Sequence, residues 1–323
     1  MTDATTRWPD NILDAKRLRT DELADATLEQ LLAENGREEA MRIFDQLIRN
    51  IEMPLAELPS GLDHYLQQTR QLPAWADSRK IALAQELFLD HGPKFLIFLY
   101  YKSLPLLYAC KNGAQVLVQT SRLTRREASV EIFTRRIAET GQFLLEVMRP
   151  DGLSPNGKGI QAIQKVRLIH AAIRKFIPAE HWSVEEFGQP INQEDMAITL
   201  MTFSVAMTDA LAQFHIRESE EKVEAYLHTW SAIGSLLGVD ADLLPKNRTE
   251  AQWLLERILQ RQAAPSEAGR LLTEALLSFA KQTIPKEKFD DTPQVLIRFL
   301  IGKERSKMLG VPQYSGCLSA MLP

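Results

Sequence analysis

The chain has 323 residues, of which 45% are apolar and 25% are charged, and its formal net charge is −4. These values are typical of a soluble globular protein with a substantial core, and they exclude an intrinsically disordered chain. The weak negative charge and the lack of a basic stripe argue against nucleic acid as a partner. The two cysteines, Cys110 and Cys317, lack metal-type spacing, so we expect free thiols and a cytoplasmic location.

The N-terminus is polar and contains no apolar run that could act as a secretory signal. Helical periodicity dominates the chain, so we predict a helical N-terminal extension over residues 1–60 and one all-α domain over residues 61–323. The most apolar stretch, residues 95–110, contains Lys102 and Pro105 and is too short to span a bilayer. We predict that it is a buried core helix, and we expect no integral membrane segment.

Capping motifs predict where several helices begin. A Ser or Thr followed three residues later by Glu or Gln is a capping box, and Asn is a good N-cap before an apolar helix. The predicted starts are Thr124-x-x-Glu127, Ser183-x-x-Glu186, Asn192 and Thr249-x-x-Gln252.

Two long helices with a short connection are predicted to form an antiparallel hairpin. The first covers residues 124–148 and the second covers residues 159–177, and the loop between them reads RPDGLSPNGKG. Gly and Pro in this loop favour a tight connection between the helices. Because residues equally far from the middle of the loop lie at similar heights, we expect Glu139 and Thr140 to lie opposite His170.

The first helix of this hairpin carries a polar stripe. Arg136, Glu139, Thr140 and Phe143 share one face at helical spacing. If this stripe faces the second helix, a polar cluster lies opposite His170. The same spacing also fits an ordinary surface ion pair between Arg136 and Glu139.

The second helix carries one histidine on an apolar face. Arg167 lies three residues before His170 and Arg174 lies four residues after it, so the three side chains are neighbours. An imidazole between two guanidinium groups in an apolar wall fits a flat apolar cofactor with acidic arms, such as haem. The alternative is a core histidine held by a hydrogen bond. Two unpaired guanidinium groups would destabilise a dry core, so their presence favours the cofactor site over the core histidine.

Six sequence blocks resemble the MpaB-type oxygenase family, which includes the bacterial rubber oxygenases. The blocks are LPAWAD, SLPLLYACKNGAQVLVQTSRL, RLIHAAIR, PINQEDMAITLMTFS, AYLHTWSAIGSLLGV and FLIGKERSKMLGVP. They cover about residues 65–312 in the expected order, and RLIHAAIR is the most specific. The resemblance implies an all-α fold with a globin-like helical core and additional helices.

The resemblance also implies a cofactor and its ligand. In this family, the histidine of the RLxHAxxR block is the proximal ligand of the iron of haem b. This histidine corresponds to His170, which becomes the expected metal ligand. Arg167 and Arg174 become candidates for cofactor binding through the haem propionates or the pocket wall.

On the distal side, the family has an Arg-x-x-Lys-Thr cluster, which matches Arg136, Glu139 and Thr140 with glutamate in place of lysine. A carboxylate is a poorer ligand for ferrous haem than a neutral amine, and it is better suited to proton transfer. We therefore predict that Glu139 is a distal acid or base and that Arg136 and Thr140 complete the catalytic pocket. The glutamate that the family carries one helix earlier has no counterpart in residues 119–122.

Together these features predict a haem-b-dependent oxygenase or peroxygenase that oxidises an apolar, small to medium organic molecule with O2 or peroxide. Two alternatives remain open. A haem-binding sensor or carrier would have the same pocket without turnover. An all-α interaction protein would have lost the cofactor and would use the His170 face as ordinary core.

Overall fold

The computed structural model describes residues 7–49, 62–123, 130–177, 179–283 and 291–313. Within these ranges the chain is helical and has no strand, apart from one isolated bridge pair between Cys110 and Ala263. The predicted all-α fold is therefore confirmed.

We number the α-helices in chain order. They span Asp10–Arg17 (α1), Glu22–Arg49 (α2), Asp63–Gln68 (α3), Ser78–Phe98 (α4), Leu104–Ala109 (α5), Lys111–Leu123 (α6), Val130–Met148 (α7), Lys158–Phe176 (α8), Val184–Phe187 (α9), Gln193–Phe203 (α10), Val205–Gln213 (α11), Glu220–Leu236 (α12), Arg248–Gln262 (α13), Glu267–Thr283 (α14), Thr292–Ile301 (α15) and Lys303–Met308 (α16). Most of these helices contribute side chains to one continuous apolar core.

Helices α7 and α8 form the predicted hairpin. The first ends at Met148, the second begins at Lys158, and the two helices pack against each other. Their close approach depends on Gly159, where an added Cβ would lie 2.7 Å from the carbonyl oxygen of Glu146 and 2.9 Å from the Cα of Val147. A larger residue would push the helices apart at this end, so the glycine fixes the geometry of the hairpin.

The apolar stretch over residues 95–110 is mostly buried, as predicted, but it is not one continuous α-helix. Helix α4 runs into a π-helical turn, Leu99–Ser103, and α5 then begins with Pro105 in its first turn. Proline is tolerated in the first turn of a helix because its missing N–H has no partner there. The buried Lys102 donates from Nζ to Oε1 of Gln213 at 2.6 Å, which accounts for a charged group in this stretch.

Two of the predicted helix starts are confirmed. The side chains of Ser183 and Asn192 accept hydrogen bonds from backbone N–H groups in the first turns of α9 and α10. A third predicted start, Thr124-x-x-Glu127, lies outside the described residues.

The predicted start of α13 is wrong by two residues. Its N-cap is Asn247, whose Oδ1 accepts a hydrogen bond from the N–H of Glu250 at 3.0 Å. Glu250 in turn accepts from the N–H of Lys246 at 2.8 Å, which completes a reciprocal cap. This pairing satisfies two backbone donors, so Asn247 begins the helix and Thr249 lies inside it.

We expect Asn247→Ala to lower the free energy of unfolding by about 1 kcal/mol, because the first turn of α13 loses its acceptor. The measurement is urea denaturation followed by circular dichroism. Thr249→Ala is the matched control and should change stability by less than about 0.5 kcal/mol, as exposed positions usually do. Equal effects of the two substitutions would show that Asn247 is not the cap.

The N-terminal segment packs against α8. Leu28 and Leu31 of α2 meet Leu168 and Ala171 of α8 in a second, smaller apolar cluster. Helix α8 therefore has apolar neighbours on two sides, with α2 on one and α7 on the other. The described part of residues 1–60 forms α1 and α2, and α2 kinks at Gly36, where φ is +77°.

One stretch, Gln193–Gln213, is long and apolar enough to cross a bilayer. It comprises α10 and α11, and 78% of its most apolar window is buried inside the fold. A buried core segment passes the same test of length and hydropathy, so packing within the protein accounts for this composition.

Candidate active site

A cavity of about 370 Å³ lies between the two helices of the hairpin and their neighbours. His170 of α8 lines it, and so do Arg136, Glu139 and Thr140 of α7, which we call the distal cluster. The other walls are mostly apolar and include Leu107, Val116, Phe143, Ile173, Phe203 and Trp230. The fold therefore brings together the histidine and the polar stripe that the sequence placed on facing helices.

His170 contributes an unusual ring to this cavity. Its Nδ1 atom is buried and has no hydrogen-bond partner among the described residues. Burial, helped by the charge of Arg174, lowers the pKa of His170 to about 4. The imidazole is therefore neutral at pH 7 and keeps a lone pair that a metal can accept.

Arg167 and Arg174 do not line the cavity. Arg167 forms a two-point ion pair with Asp21, with 2.7 Å between Nη2 and Oδ1, and Arg174 donates from Nε to Oδ1 of Asp25 at 2.8 Å. The expectation that both guanidinium groups are unpaired is wrong, because their partners lie 146 and 149 positions earlier in the chain. This arrangement gives no support to the predicted propionate contacts.

Arg136 is held against α6. Its Nη1 donates to the carbonyl oxygen of Leu117 at 2.9 Å, and its Nη2 donates to Oγ1 of Thr120 at 2.6 Å. Burial lowers the pKa of Arg136, and no carboxylate in the described part of the chain lies within 4.0 Å of its guanidinium. A buried cation with only neutral hydrogen-bond acceptors places a positive charge at this wall of the cavity.

Glu139 lies at the edge of the cavity. Its Oε1 accepts a hydrogen bond from Nε of Arg135 at 2.6 Å, and 27% of its side chain is exposed. The surface pair that spacing suggested between Arg136 and Glu139 therefore forms with the neighbouring Arg135 instead. Thr140 donates from Oγ1 to the carbonyl oxygen of Arg136 at 2.7 Å, which turns its hydroxyl proton toward the helix backbone.

Asp195 is a residue of the cavity wall that the sequence did not identify. It lies in the first turn of α10, where Nδ2 of Asn192 donates to its Oδ2 at 2.8 Å. Burial raises the pKa of Asp195 to about 6. Acidic residues are common in the first turn of a helix, so the sequence alone did not indicate that Asp195 faces a cavity.

The sequence matches a known family over most of its length. Residues 104–317 match the family described as ER-bound oxygenase mpaB/B'/Rubber oxygenase, catalytic domain. The chain is also 26% identical over 269 residues to a rubber oxygenase from Streptomyces sp. strain K30. That match covers 81% of this chain and 63% of the relative, so it spans less than two thirds of the relative's length.

The fold matches a solved structure, that of latex clearing protein LCP in the closed state. The TM-score is 0.75 at 22% sequence identity, and the match covers 93% of this chain and 79% of the other. At this level of identity the structural match establishes the shared helical fold. With residues 104–317 matched by sequence, the chain belongs to the MpaB and rubber oxygenase catalytic-domain family.

Proposed function

We propose that this protein is a haem-dependent oxygenase that oxidises an apolar organic molecule with O2 or peroxide. The observation that carries this proposal is one cavity with His170 on one helix of the hairpin and the distal cluster on the other. Membership in an oxygenase family supports the same class of reaction.

The residues around the cavity fit a haem group. His170 has a ring nitrogen without a partner and a pKa low enough to keep it neutral, so it is the residue that would hold the iron. The mostly apolar walls suit a flat macrocycle. When bound, haem would supply the activation of O2 or peroxide. Partners for the propionates are left unassigned, because Arg167 and Arg174 are engaged by aspartates.

The protein's own groups have separate tasks in this proposal. The apolar walls bind an apolar substrate and exclude water from it. The buried charge of Arg136 stabilises negative charge that develops on oxygen during the reaction. Glu139, at the exposed edge, passes protons between solvent and the cavity.

An absorption spectrum tests the cofactor, and oxygen consumption tests the reaction. We expect the purified protein, supplemented with haem, to show a Soret band that shifts on reduction and again with carbon monoxide. Addition of an apolar alkene should then cause consumption of O2 or peroxide. A protein without a Soret band would overturn the proposal. A Soret band without substrate-dependent consumption would instead support the sensor or carrier.

Glu139→Gln is expected to lower turnover by about 100-fold or more, because the amide cannot exchange a proton. The Soret band should be unchanged, since the residue lies on the helix opposite His170. Glu146→Gln is the matched control on the same helix, where the carboxylate binds Gln142 and Arg149 outside the cavity. If both variants keep full turnover, Glu139 is not the distal acid or base.

A further inference from the structure

We infer that Asp195 is an internal acid–base residue of the cavity, which exchanges a proton through Oδ1 with the molecule bound there. The inference rests on the proposed function, since it adds a second carboxylate to the same cavity. Asp195 lines the cavity from α10, and 12% of its side-chain surface remains accessible.

The two oxygens of Asp195 have different surroundings. Oδ2 accepts a hydrogen bond from Nδ2 of Asn192 at 2.8 Å, and Oδ1 accepts a longer hydrogen bond from Nη1 of Arg17 at 3.2 Å, which is also an ion pair. Helix α6 lies beside Oδ1 at Gly113, where an added Cβ would lie 3.4 Å from this oxygen. Because glycine has no side chain, space remains beside Oδ1, and Gly113 also lines the cavity. Oδ1 is therefore the oxygen that can reach a bound molecule.

Charged and titratable groups surround Asp195 on three sides. Arg17 approaches from α1, Glu194 lies beside it on α10, and the Cys110 thiol lies just before α6. Glu194 is itself paired with Arg17 at 3.0 Å and with Arg261 at 2.8 Å. Burial raises the pKa of Asp195, Arg17 lowers it, and Glu194 raises it, with a result of about 6. Both protonation states are thus populated near neutral pH, which suits proton transfer in either direction.

Asp195 also lies close to solvent on its other side. Its partner Arg17 lines a polar surface cleft of about 500 Å³, together with Asp14 and Arg261. One layer of side chains therefore separates Asp195 from the cleft. In each exchange one proton moves from Oδ1 to the bound molecule, Asp195 is later reprotonated from solvent, and no electron is transferred. Glu139 exchanges protons at the exposed edge of the cavity, whereas Asp195 exchanges protons in its interior.

Haem-free protein labelled with ¹³C at aspartate carboxyl groups gives the first test, a pH titration by NMR. We expect one carboxyl signal to titrate near pH 6, above the ordinary range for aspartate. Asp195→Asn should remove this signal. Asp14→Asn, which changes an exposed aspartate of the same cleft, should keep it. A wild-type protein without such a signal would overturn the inference.

The haem-loaded enzyme gives the second test, the dependence of turnover on pH. Asp195→Asn is expected to keep the Soret band, to lower turnover by about 100-fold, and to abolish the inflection near pH 6. Asp14→Asn should retain that inflection. A wild-type pH profile in Asp195→Asn would reduce the residue to a structural role and overturn the inference.

Gly113→Ala provides an independent variant that keeps the carboxyl group. Its methyl group would occupy the space beside Oδ1, and alanine is favourable inside a helix, so the fold should persist. We expect reduced turnover, while unchanged turnover would contradict access through this side. If wild-type protein binds no haem, the proposed function fails, and the NMR titration still decides whether Asp195 exchanges protons.

Discussion

His170→Ala is expected to abolish the Soret band and to weaken haem binding by more than about 100-fold, beyond the range typical of residues that only orient a ligand. The reason is that His170 is the one histidine in the described lining of the cavity. The fold should persist, because the Nδ1 atom that is removed makes no hydrogen bond within the described residues. A haem titration followed by absorbance, with circular dichroism of the same samples, measures both effects.

His228→Ala is the matched control for this experiment. His228 accepts a hydrogen bond at Nε2 from the N–H of Asp77 at 2.9 Å and lies edge-on to Trp75, away from the cavity. We expect this variant to bind haem like the wild type. A wild-type spectrum in His170→Ala would show that the iron has another ligand.

Among the substitutions proposed for this protein, Asp21→Ala should lower the free energy of unfolding most, by about 3–5 kcal/mol. The substitution leaves the guanidinium of Arg167 buried without its counter-ion, since the two side chains are only 3% and 10% exposed. Gly238 packs closely against this pair, since an added Cβ would lie 2.7 Å from Cγ of Asp21, so backbone encloses the pair on this side. The midpoint of urea denaturation is the measurement.

Glu29→Ala is the control, because it removes an exposed ion pair that joins α2 to α8. Glu29 binds Lys175 at 2.6 Å, but the side chains are 65% and 45% exposed. Exposed pairs contribute about 0–1 kcal/mol, so the control should unfold at nearly the wild-type midpoint. A loss no larger in Asp21→Ala than in Glu29→Ala would contradict the buried pairing of Arg167.

The hairpin and its facing polar stripe could be predicted because both depend on local patterns. Helical periodicity fixed the two helices, and the loop rich in Gly and Pro fixed their antiparallel arrangement. Given that arrangement, the two faces were expected to meet, and Thr140 and His170 do line the same cavity. The cap of α13 shows the limit of such patterns, since two overlapping motifs competed and the one beginning at Asn247 satisfies more backbone donors.

The partners of the arginines and the role of Asp195 could not be predicted, because both depend on contacts distant in sequence. The pairing of Arg167 with Asp21 requires α2 to pack across the outer face of α8. The position of Asp195 depends on how closely α10 approaches α6 at Gly113. Neither of these helix contacts produces a periodic pattern in the sequence. Which helices pack together depends on the shapes of whole helix faces, and those shapes cannot be read from local spacing.

Glu139 is held less firmly by the rest of the fold than the helix that carries His170. Helix α8 is fixed by the ion pairs of Arg167 and Arg174 and by an apolar cluster on its outer side. Glu139 of α7 has only a partly exposed pair with Arg135, a type that contributes about 0.3–0.5 kcal/mol. During evolution, a lineage with this architecture can therefore exchange the residue at position 139 and acquire new oxidation chemistry while its stability stays nearly constant.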